Sequence, residues 1–321
     1  MVGELPVSRE PAGPERVAPG AARGMPRPAR SVGLGSPMID PMLELSRTVR
    51  FSLARTGKAD PAAALDAEAR NGFSAFPPMR GLGRYYELTV TCRGEADPVT
   101  GYFVNIKVID EAVREHVLPY LQRLIESDTP EADIPLGEVM RDICGRLESP
   151  LERTVADVAL ALTPMVTYSI ASNAMDRVTL RQQYEFSAAH RLHVDELSDE
   201  ENRSVFGKCN NPAGHGHNYR LEVAVEKDID GRGHALAVER LDAVVLEHAI
   251  DRLDHKHLNL DVPEFAGLNP SVEHIAEVIW HMLVDPVAAI ADAGRPRLTE
   301  VRVWETGKTA CIYHGPSAVE A

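Results

Sequence analysis

The 321-residue sequence predicts an α+β protein made of two successive units, each an antiparallel four-stranded sheet with two helices on one face. Apolar and polar residues alternate in the runs Tyr219–Val225 and Glu300–Thr306, which is typical of half-buried strands. Between these runs, apolar residues recur at helical spacing over Leu241–Leu253. A second helical stripe begins after Pro270-Ser271, which are typical of a helix start. Strand pairs and helix pairs in this order favour an α+β domain.

The prediction of two units depends on an internal repeat, which three pairs of segments carry without a gap. The pairs are Phe73–Val90 with Phe206–Val223, Ile109–His116 with Leu241–His248, and Phe51–Arg55 with Phe186–His190. In the longest pair the phenylalanine, both glycines, the tyrosine, the leucine and the valine coincide. We therefore expect units at residues 40–170 and 176–316.

The residues that could carry chemistry do not repeat between the two units. The replacements are Arg55 for His190, Phe76 for Cys209, Leu82 for His215, Arg84 for His217, Gln122 for Asp254 and Arg123 for His255. The sequence therefore predicts that the first unit is a non-catalytic structural partner that binds no metal.

Composition restricts the class of protein. The formal net charge of −14 argues against a nucleic-acid binder, which needs a basic surface. No run approaches the roughly 18 apolar residues that a membrane span needs. The four cysteines are scattered without a CxxC pair, which favours a reducing compartment and predicts a cytoplasmic protein. Residues 1–36 are rich in Pro, Gly, Ala and Arg and are predicted to form a disordered leader.

Three histidines, His190, His215 and His217, are the candidate ligands of a catalytic metal ion. His190 continues the apolar face of one predicted strand, and the other two histidines share a parity on the next strand. Adjacent strands can therefore point three imidazoles into one pocket. Three imidazoles leave one position of a zinc ion open for water or substrate. The sequence predicts zinc, and iron or another transition metal stays compatible with the same ligands.

Cys209 and the pair Asp254-His255 are the candidate acid–base residues. Cys209 is either a fourth ligand of a closed structural site or a free thiol beside an open metal site. The loop-forming run Asn210–Pro212 favours the free thiol. A carboxylate beside a histidine can hold the tautomer of the imidazole, although the same two residues also occur at ordinary charged helix ends.

Two glutamates are candidate ligand anchors. Glu305 shares the parity of Val301 and Val303, and a carboxylate on an apolar face is costly unless a partner such as a row of N–H donors satisfies it. The alternative is a strand end at which Glu305 reaches water. Glu273, in the first turn of the second predicted helix, either favours the helix dipole or anchors a ligand.

These motifs together resemble the 6-pyruvoyltetrahydropterin synthase and 6-carboxytetrahydropterin synthase family. The matching segments are Phe186–His190, Cys209–Tyr219, Leu253–Asn259, Pro270–Glu273 and Val301–Thr306. They cover most of residues 180–315 in the order of the family, whereas the first unit resembles the family only in its framework. Val272 departs from the hydroxyl residue that is usual at its place.

The resemblance implies a tunnelling fold, whose units join edge to edge into a ring, and a zinc-dependent lyase that eliminates triphosphate from 7,8-dihydroneopterin triphosphate. It implies zinc binding by His190, His215 and His217, proton transfer by Cys209, Asp254 and His255, and pterin binding by Glu305, with Glu273 and Ser271 helping. The implied product is 6-pyruvoyltetrahydropterin or the queuosine precursor 6-carboxytetrahydropterin. The spacing between Cys209 and His215 is closer to the pyruvoyl branch.

Two other functions are compatible with the sequence. One is a pterin-binding scaffold without catalysis, against which the complete set of His, Cys, Asp and Glu residues in the second unit argues. The other is a different tunnelling-fold enzyme that acts on a pterin or purine, such as a cyclohydrolase. Identification of the product separates these functions.

Overall fold

The strands of this protein form one continuous antiparallel sheet, to which a short parallel strand is added at one place. The computed structural model describes residues 42–55, residue 77 and residues 82–316. The strands are β1 (Leu43–Leu53), β2 (Arg84–Gly94), β3 (Val155–Thr163), β4 (Val166–Ala171), β5 (Arg177–His190), β6 (His215–Asp228), β7 (Lys256–His257), β8 (Arg297–Thr306) and β9 (Thr309–Tyr313). Within these described residues the order in the sheet is β1-β2-β3-β4-β5-β6-β8-β9, and β7 pairs in parallel with β5.

Along the chain, most helices fall between β2 and β3 in the first half of the sheet (β1–β4), and between β6 and β8 in the second half (β5–β9). They are α1 (Ile106–Ala112), α2 (Leu118–Glu126), α3 (Leu136–Glu148), α4 (Asp199–Phe206), α5 (Val238–Val245), α6 (Asp251–Leu253), α7 (Leu258–Asp261) and α8 (Val272–Ala288). A π-helical turn follows α1 at Val113–Val117 and α5 at Leu246–Ile250, and short 3-10 turns span Glu131–Asp133, Gly207–Asn210 and Pro263–Phe265. Burial under α3 and α8 explains why alternate residues of the strands are apolar.

The two halves of the sheet share local irregularities as well as the order of their elements. A register shift lies between Thr91 and Cys92 where β2 pairs with β3, and another lies between Ala224 and Val225 where β6 pairs with β8. The hairpins β3–β4 and β8–β9 also each contain a register shift. Stacked aromatic pairs join the first two strands of each half, at Phe51–Tyr86 and Phe186–Tyr219.

The α+β class that the sequence predicts, with an antiparallel sheet, is confirmed. The predicted second helix begins at Val272 with Ser271 as its N-cap. The sequence interpretation missed α4, although Ser198 and Glu201 form the capping box that marks such a helix start. The predicted leader at residues 1–36 and Phe76 lie outside the described residues.

The four cysteines of the sequence are free thiols in this structure. No helix in the described part of the chain combines the length and the hydrophobicity that a bilayer crossing requires.

Asp157 on β3 gives the fold a measurable pH dependence. Burial raises the pKa of this carboxyl group to about 6 from the usual 3.8, although Arg181 opposes the rise. Because burial penalises the ionised carboxylate of Asp157 in the folded state, the folded protein loses stability as the pH increases from 3.8 to about 6. We expect Asp157→Asn to stabilise the protein by about 1 kcal/mol at pH 7.5, after allowance for partial exposure, and to give less benefit at pH 4.5.

Thermal unfolding at the two pH values measures this difference. Asp176→Asn is the matched control, because the Asp176 side chain is 74% exposed and its replacement should change stability equally at both values. A destabilisation of Asp157→Asn that is the same at both pH values would contradict the expectation.

Candidate metal centre

The ends of β5 and β6 bring the three candidate metal ligands together. His190 is paired directly with His215, and the neighbouring pair on the same face is Ala188 with His217. Alternation along β5 buries Phe186, Ala188 and His190 under the helices, with exposed fractions of 3%, 4% and 0%. The strand parity that the sequence predicts is therefore the parity in the structure.

The imidazole nitrogens of this centre are close enough to share one ion. One nitrogen from each of His190, His215 and His217 lies within 4.8 Å of the others. The Nε2 atoms of His190 and His215 are 3.2 Å apart. Tetrahedral zinc–nitrogen bonds of about 2.0–2.1 Å separate neighbouring nitrogens by roughly 3.3 Å. The observed separation therefore fits this class of metal site.

The surroundings keep two of these imidazoles, those of His190 and His215, in the state that a metal requires. Burial lowers the pKa of His190 to about 4, and burial followed by the neighbouring His217 also lowers the pKa of His215. Neutral imidazole is the form that binds metal. The buried Nε2 of His217 has no hydrogen-bond partner in the structure. A metal ion is a natural partner for such an atom.

A loop before α8 fixes the orientation of His190. The Nδ1 of His190 donates a hydrogen bond to the carbonyl oxygen of Pro270, over 2.7 Å, which leaves Nε2 free to bind an ion. On one side of the loop, the Asn269 side chain accepts a hydrogen bond from the backbone N–H of His193. On the other side, Nδ1 of His274 donates to the Asn269 carbonyl over 2.7 Å. The sequence analysis did not predict these hydrogen bonds of the loop at Asn269 and Pro270.

Gly214 permits the close approach of another histidine to the ligand strand. Its φ is +72°, in the left-handed region, and a Cβ atom there would lie 2.7 Å from Nε2 of His257. His257 does not belong to the group of mutually close ligand atoms among the described residues. A glycine is therefore needed at position 214, whereas Gly216 has no positive φ.

Glu305 lies beside the imidazoles rather than in open water. Its Oε1 is 3.5 Å from Nε2 of His190 and 3.8 Å from Nε2 of His217, and its side chain is 20% exposed. The carboxylate therefore faces the same pocket as the candidate metal ligands. Glu305 is therefore not the water-exposed strand end that the sequence left open as an alternative.

The Cys209 thiol is near the centre but outside the cluster of imidazole nitrogens. Cys209 lies in the 3-10 turn after α4, and its carbonyl accepts a hydrogen bond from the N–H of Leu192, which anchors the turn to the end of β5. Burial raises the pKa of the Tyr219 hydroxyl well above its usual range, and Glu305 and Cys209 raise it further.

Asp254 and His255 form the hydrogen-bonded pair that the sequence left open. Oδ2 of Asp254 accepts from Nδ1 of His255 over 2.7 Å, and its Oδ1 accepts from the N–H of Ser187 on β5. These contacts arise where the chain leaves α6, because His255 adopts a left-handed φ of +56°. The Ser187 hydrogen bond is the main reason for the lowered pKa of Asp254. The His255 side chain is 83% exposed and is bonded to Asp254, and the backbone N–H of His255 donates to the carbonyl of Ser187.

Ser271 and Glu273 lie at the start of α8. The hydroxyl of Ser271 accepts a hydrogen bond from the N–H of His274, over 3.4 Å, as an N-cap. A second hydrogen bond from this hydroxyl is the main cause of a lowered pKa for Glu273. Glu273 is therefore held as a carboxylate at the helix start, next to the loop that supports His190.

An antiparallel sheet that carries three converging imidazoles, a nearby thiol and a histidine–aspartate pair is typical of a metal-dependent catalytic domain. The sequence profile of the 6-pyruvoyl tetrahydropterin synthase family matches residues 179–316. The 6-pyruvoyl tetrahydrobiopterin synthase of Poecilia reticulata is 45% identical over 131 residues, which cover 40% of this chain and 85% of that protein. The Homo sapiens protein of the same description is 43% identical over 133 residues, which cover 40% of this chain and 86% of that protein. The chain belongs to the 6-pyruvoyl tetrahydropterin synthase family.

The profile match coincides with the second predicted unit. Among solved structures, that of Caenorhabditis elegans 6-pyruvoyl tetrahydropterin synthase is 34% identical and covers 44% of this chain and 96% of that one, with a TM-score of 0.40.

Proposed function

We propose that residues 176–316 form a zinc-dependent lyase that eliminates triphosphate from 7,8-dihydroneopterin triphosphate. The observation that carries this proposal is the convergence of three imidazoles with the carboxylate of Glu305 in one pocket. Relatives at 45% and 43% identity are described as 6-pyruvoyl tetrahydrobiopterin synthases, which supports a pterin substrate. The free thiols support the cytoplasmic location that the sequence predicts.

The resident metal would be held by His190, His215 and His217, since their nitrogens fit zinc and burial lowers the pKa of His190 and His215. Bound zinc supplies Lewis-acid chemistry, which polarises a substrate hydroxyl and makes the adjacent C–H bond more acidic. The Pro270 carbonyl fixes the tautomer of the His190 ring for this purpose.

Cys209 and His255 are the proposed proton-transfer residues. Cys209 abstracts or returns protons at the carbons of the substrate side chain, since it lies beside the metal centre without belonging to the ligand cluster. His255 acts as the opposite acid–base group. Asp254 holds its Nδ1, so that Nε2 is the nitrogen available for proton transfer.

Glu305 is the proposed anchor of the pterin ring. Its half-buried carboxylate can accept hydrogen bonds from a row of N–H donors on the ring edge, which compensates for its burial. Ser271 and Glu273 complete the pocket, and Glu273 stays ionised there because the Ser271 hydroxyl lowers its pKa.

We also infer that residues 40–170 are a duplicated unit that has lost this chemistry. Arg55 and Arg84 stand in place of the metal ligands His190 and His217, and Leu82, in place of His215, is fully exposed. The framework supports duplication, because element order, register shifts, aromatic pairs and π-helical turns recur in both halves. Gln122, in place of Asp254, donates from within α2 to the carbonyl of Ala54, just after the first strand of its half.

The proposed partner of the chain is a second copy of itself in a ring. β1 and β9 are the terminal strands of the sheet, and each pairs with a single strand among the residues that the structure describes. Joining such edges between copies would satisfy their backbone groups.

The test of the function is a turnover assay with 7,8-dihydroneopterin triphosphate, followed by mass spectrometry of the pterin product. We expect release of triphosphate and formation of 6-pyruvoyltetrahydropterin. Formation of 6-carboxytetrahydropterin would reassign the chain to the other branch. Tight pterin binding without turnover would instead support a scaffold, and a different product would support another pterin or purine enzyme.

A further inference from the structure

Residues 191–193, which leave the end of β5 directly after His190, are held by hydrogen bonds from two sides. On the first side is the 3-10 turn that carries Cys209. The N–H of Leu192 donates to the carbonyl of Cys209 over 3.0 Å, and Nε of Arg191 donates to the carbonyl of Asn210 over 3.2 Å. The turn with the thiol is therefore bonded to the segment that continues the strand of a candidate metal ligand.

The side chain of Asn210 strengthens this first side. It is 7% exposed, so its amide group is buried. Its Nδ2 donates to the carbonyl of Leu192 over 2.8 Å and to Nδ1 of His193 over 2.9 Å. The Leu192 carbonyl can only accept, which fixes the orientation of the amide. Both N–H donors of one planar group thus bind successive residues of the segment, which restricts the movement of the neighbouring Cys209.

Asn259 holds the same segment from the second side. Its Oδ1 accepts from the N–H of Arg191 over 2.8 Å, and its Nδ2 donates to the Arg191 carbonyl over 3.0 Å. The parallel pairing of β5 with β7 ends at Ala189 and His257. The side-chain amide of Asn259 therefore takes the place of a backbone partner just beyond the last paired residues.

The segment 191–193 consequently connects the two proposed proton-transfer groups. Asn259 lies in α7, which follows β7, and β7 directly follows the Asp254–His255 pair. Arg191 binds this arm through its backbone N–H and carbonyl, and Leu192 binds the turn of Cys209 through the same two groups. A displacement of either asparagine would therefore move one proton-transfer group relative to the other.

We propose that Asn210 and Asn259 are positioning residues of the lyase, which set the separation of the Cys209 thiol from the Asp254–His255 pair by holding residues 191–193 from two sides. This inference rests on the proposed function and adds to it two residues that touch no reacting atom. They act through the backbone that lies between the two groups.

Proton transfer makes this separation important. A general acid–base group must lie within about 2.6–3.2 Å of the atom whose proton it moves. Two groups that act on one substrate side chain must both meet this distance. Because a misplacement of about 1 Å can cost roughly 100-fold in rate, the loss of either asparagine should lower kcat. Binding of the pterin ring, which is assigned to Glu305, should change much less.

Asn210→Asp and Asn259→Asp test the inference in the full, zinc-loaded chain. Each change keeps the size of the side chain but replaces the donor Nδ2, so that an oxygen faces the carbonyl of Leu192 or Arg191. We expect kcat to fall by about 10–100-fold while KM and zinc content are kept. The effect of the double variant should be smaller than the product of the single effects, because both residues act through one segment.

Asn202→Asp is the matched control. Asn202 is 0% exposed, and its Nδ2 likewise donates to backbone carbonyls, those of Val194, Leu197 and Ser198. Its described hydrogen bonds do not include residues 191–193. The control should therefore lower the melting temperature as the test variants do, and it should leave kcat unchanged.

The rate at which iodoacetamide alkylates Cys209 gives a second readout that needs no turnover. Mass spectrometry measures this rate in the Cys311→Ala background, in which the other two thiols are buried. We expect faster alkylation in Asn210→Asp, which loosens the turn directly. We expect it also in Asn259→Asp, although the described hydrogen bonds of the Asn259 side chain are to Arg191 and not to the turn.

Three results would overturn the inference: an unchanged kcat in either test variant, an equal loss of kcat in Asn202→Asp, or alkylation of Cys209 that does not respond to Asn259→Asp. If the unmodified chain does not turn over 7,8-dihydroneopterin triphosphate, the proposed lyase fails, and the alkylation rates still decide whether the asparagines hold the thiol. If Asn210→Asp does not fold, Asn259→Asp decides alone, since it keeps the oxygen that accepts from Arg191.

Discussion

Replacing Cys209 with alanine is expected to lower kcat for triphosphate release by about 10²–10⁴-fold, the range of a lost acid–base group. Bound zinc should be unchanged, because the thiol lies outside the cluster of imidazole nitrogens. The carbonyl of Cys209, which anchors the turn to Leu192, is kept in the variant. Steady-state kinetics combined with elemental analysis of the same preparation measures both quantities.

The matched control is Cys311→Ala, which removes another partly exposed thiol and should preserve kcat. Loss of zinc from Cys209→Ala would show that the sulfur is a metal ligand, and the site would then be closed and structural. Full activity with full zinc would remove Cys209 from the proton-transfer chemistry.

Replacing His190 with alanine is expected to abolish turnover and to weaken metal binding by more than about 100-fold, since the loss of a supporting contact alone costs about 10–100-fold. His190 is fully buried and is oriented by the Pro270 carbonyl. Metal content after dialysis and competition with a chelator of known affinity measure the change.

His314→Ala is the control for this variant, because His314 is exposed on the chain after β9 and should keep the metal. The unmodified protein should contain one metal ion per chain. Two ions per chain would contradict the inference that the first unit has lost its metal site, and retention of zinc by His190→Ala would contradict the ligand assignment.

The position of the candidate metal centre follows from local sequence patterns. Alternation along β5 and β6 assigns His190, His215 and His217 to the covered face of the sheet, and hairpin pairing then brings their ends together. Local periodicity was sufficient here because strand geometry fixes which side chains share a face.

The support of the centre could not be predicted in the same way. The hydrogen bond from His190 to the Pro270 carbonyl joins positions 80 residues apart. Every residue has a backbone carbonyl, so the identity of residue 270 carries no signal for this role.

The contact between Asp254 and His255 needed the structure for a different reason. Neighbouring side chains do not face each other along a regular helix. Only the left-handed backbone of His255, after the end of α6, brings the two groups into contact. The sequence showed the two residue types, and the departure of the chain from the helix decided their geometry.

The link from β4 to β5 spans only residues 172–176, so the pairing of these strands is tethered within one molecule. A short tether keeps the effective concentration of one strand edge at the other near the millimolar range or above. Dilution should therefore not detach the half that carries the three histidines from its neighbour. Even in a highly dilute sample, the first edge of that half stays occupied.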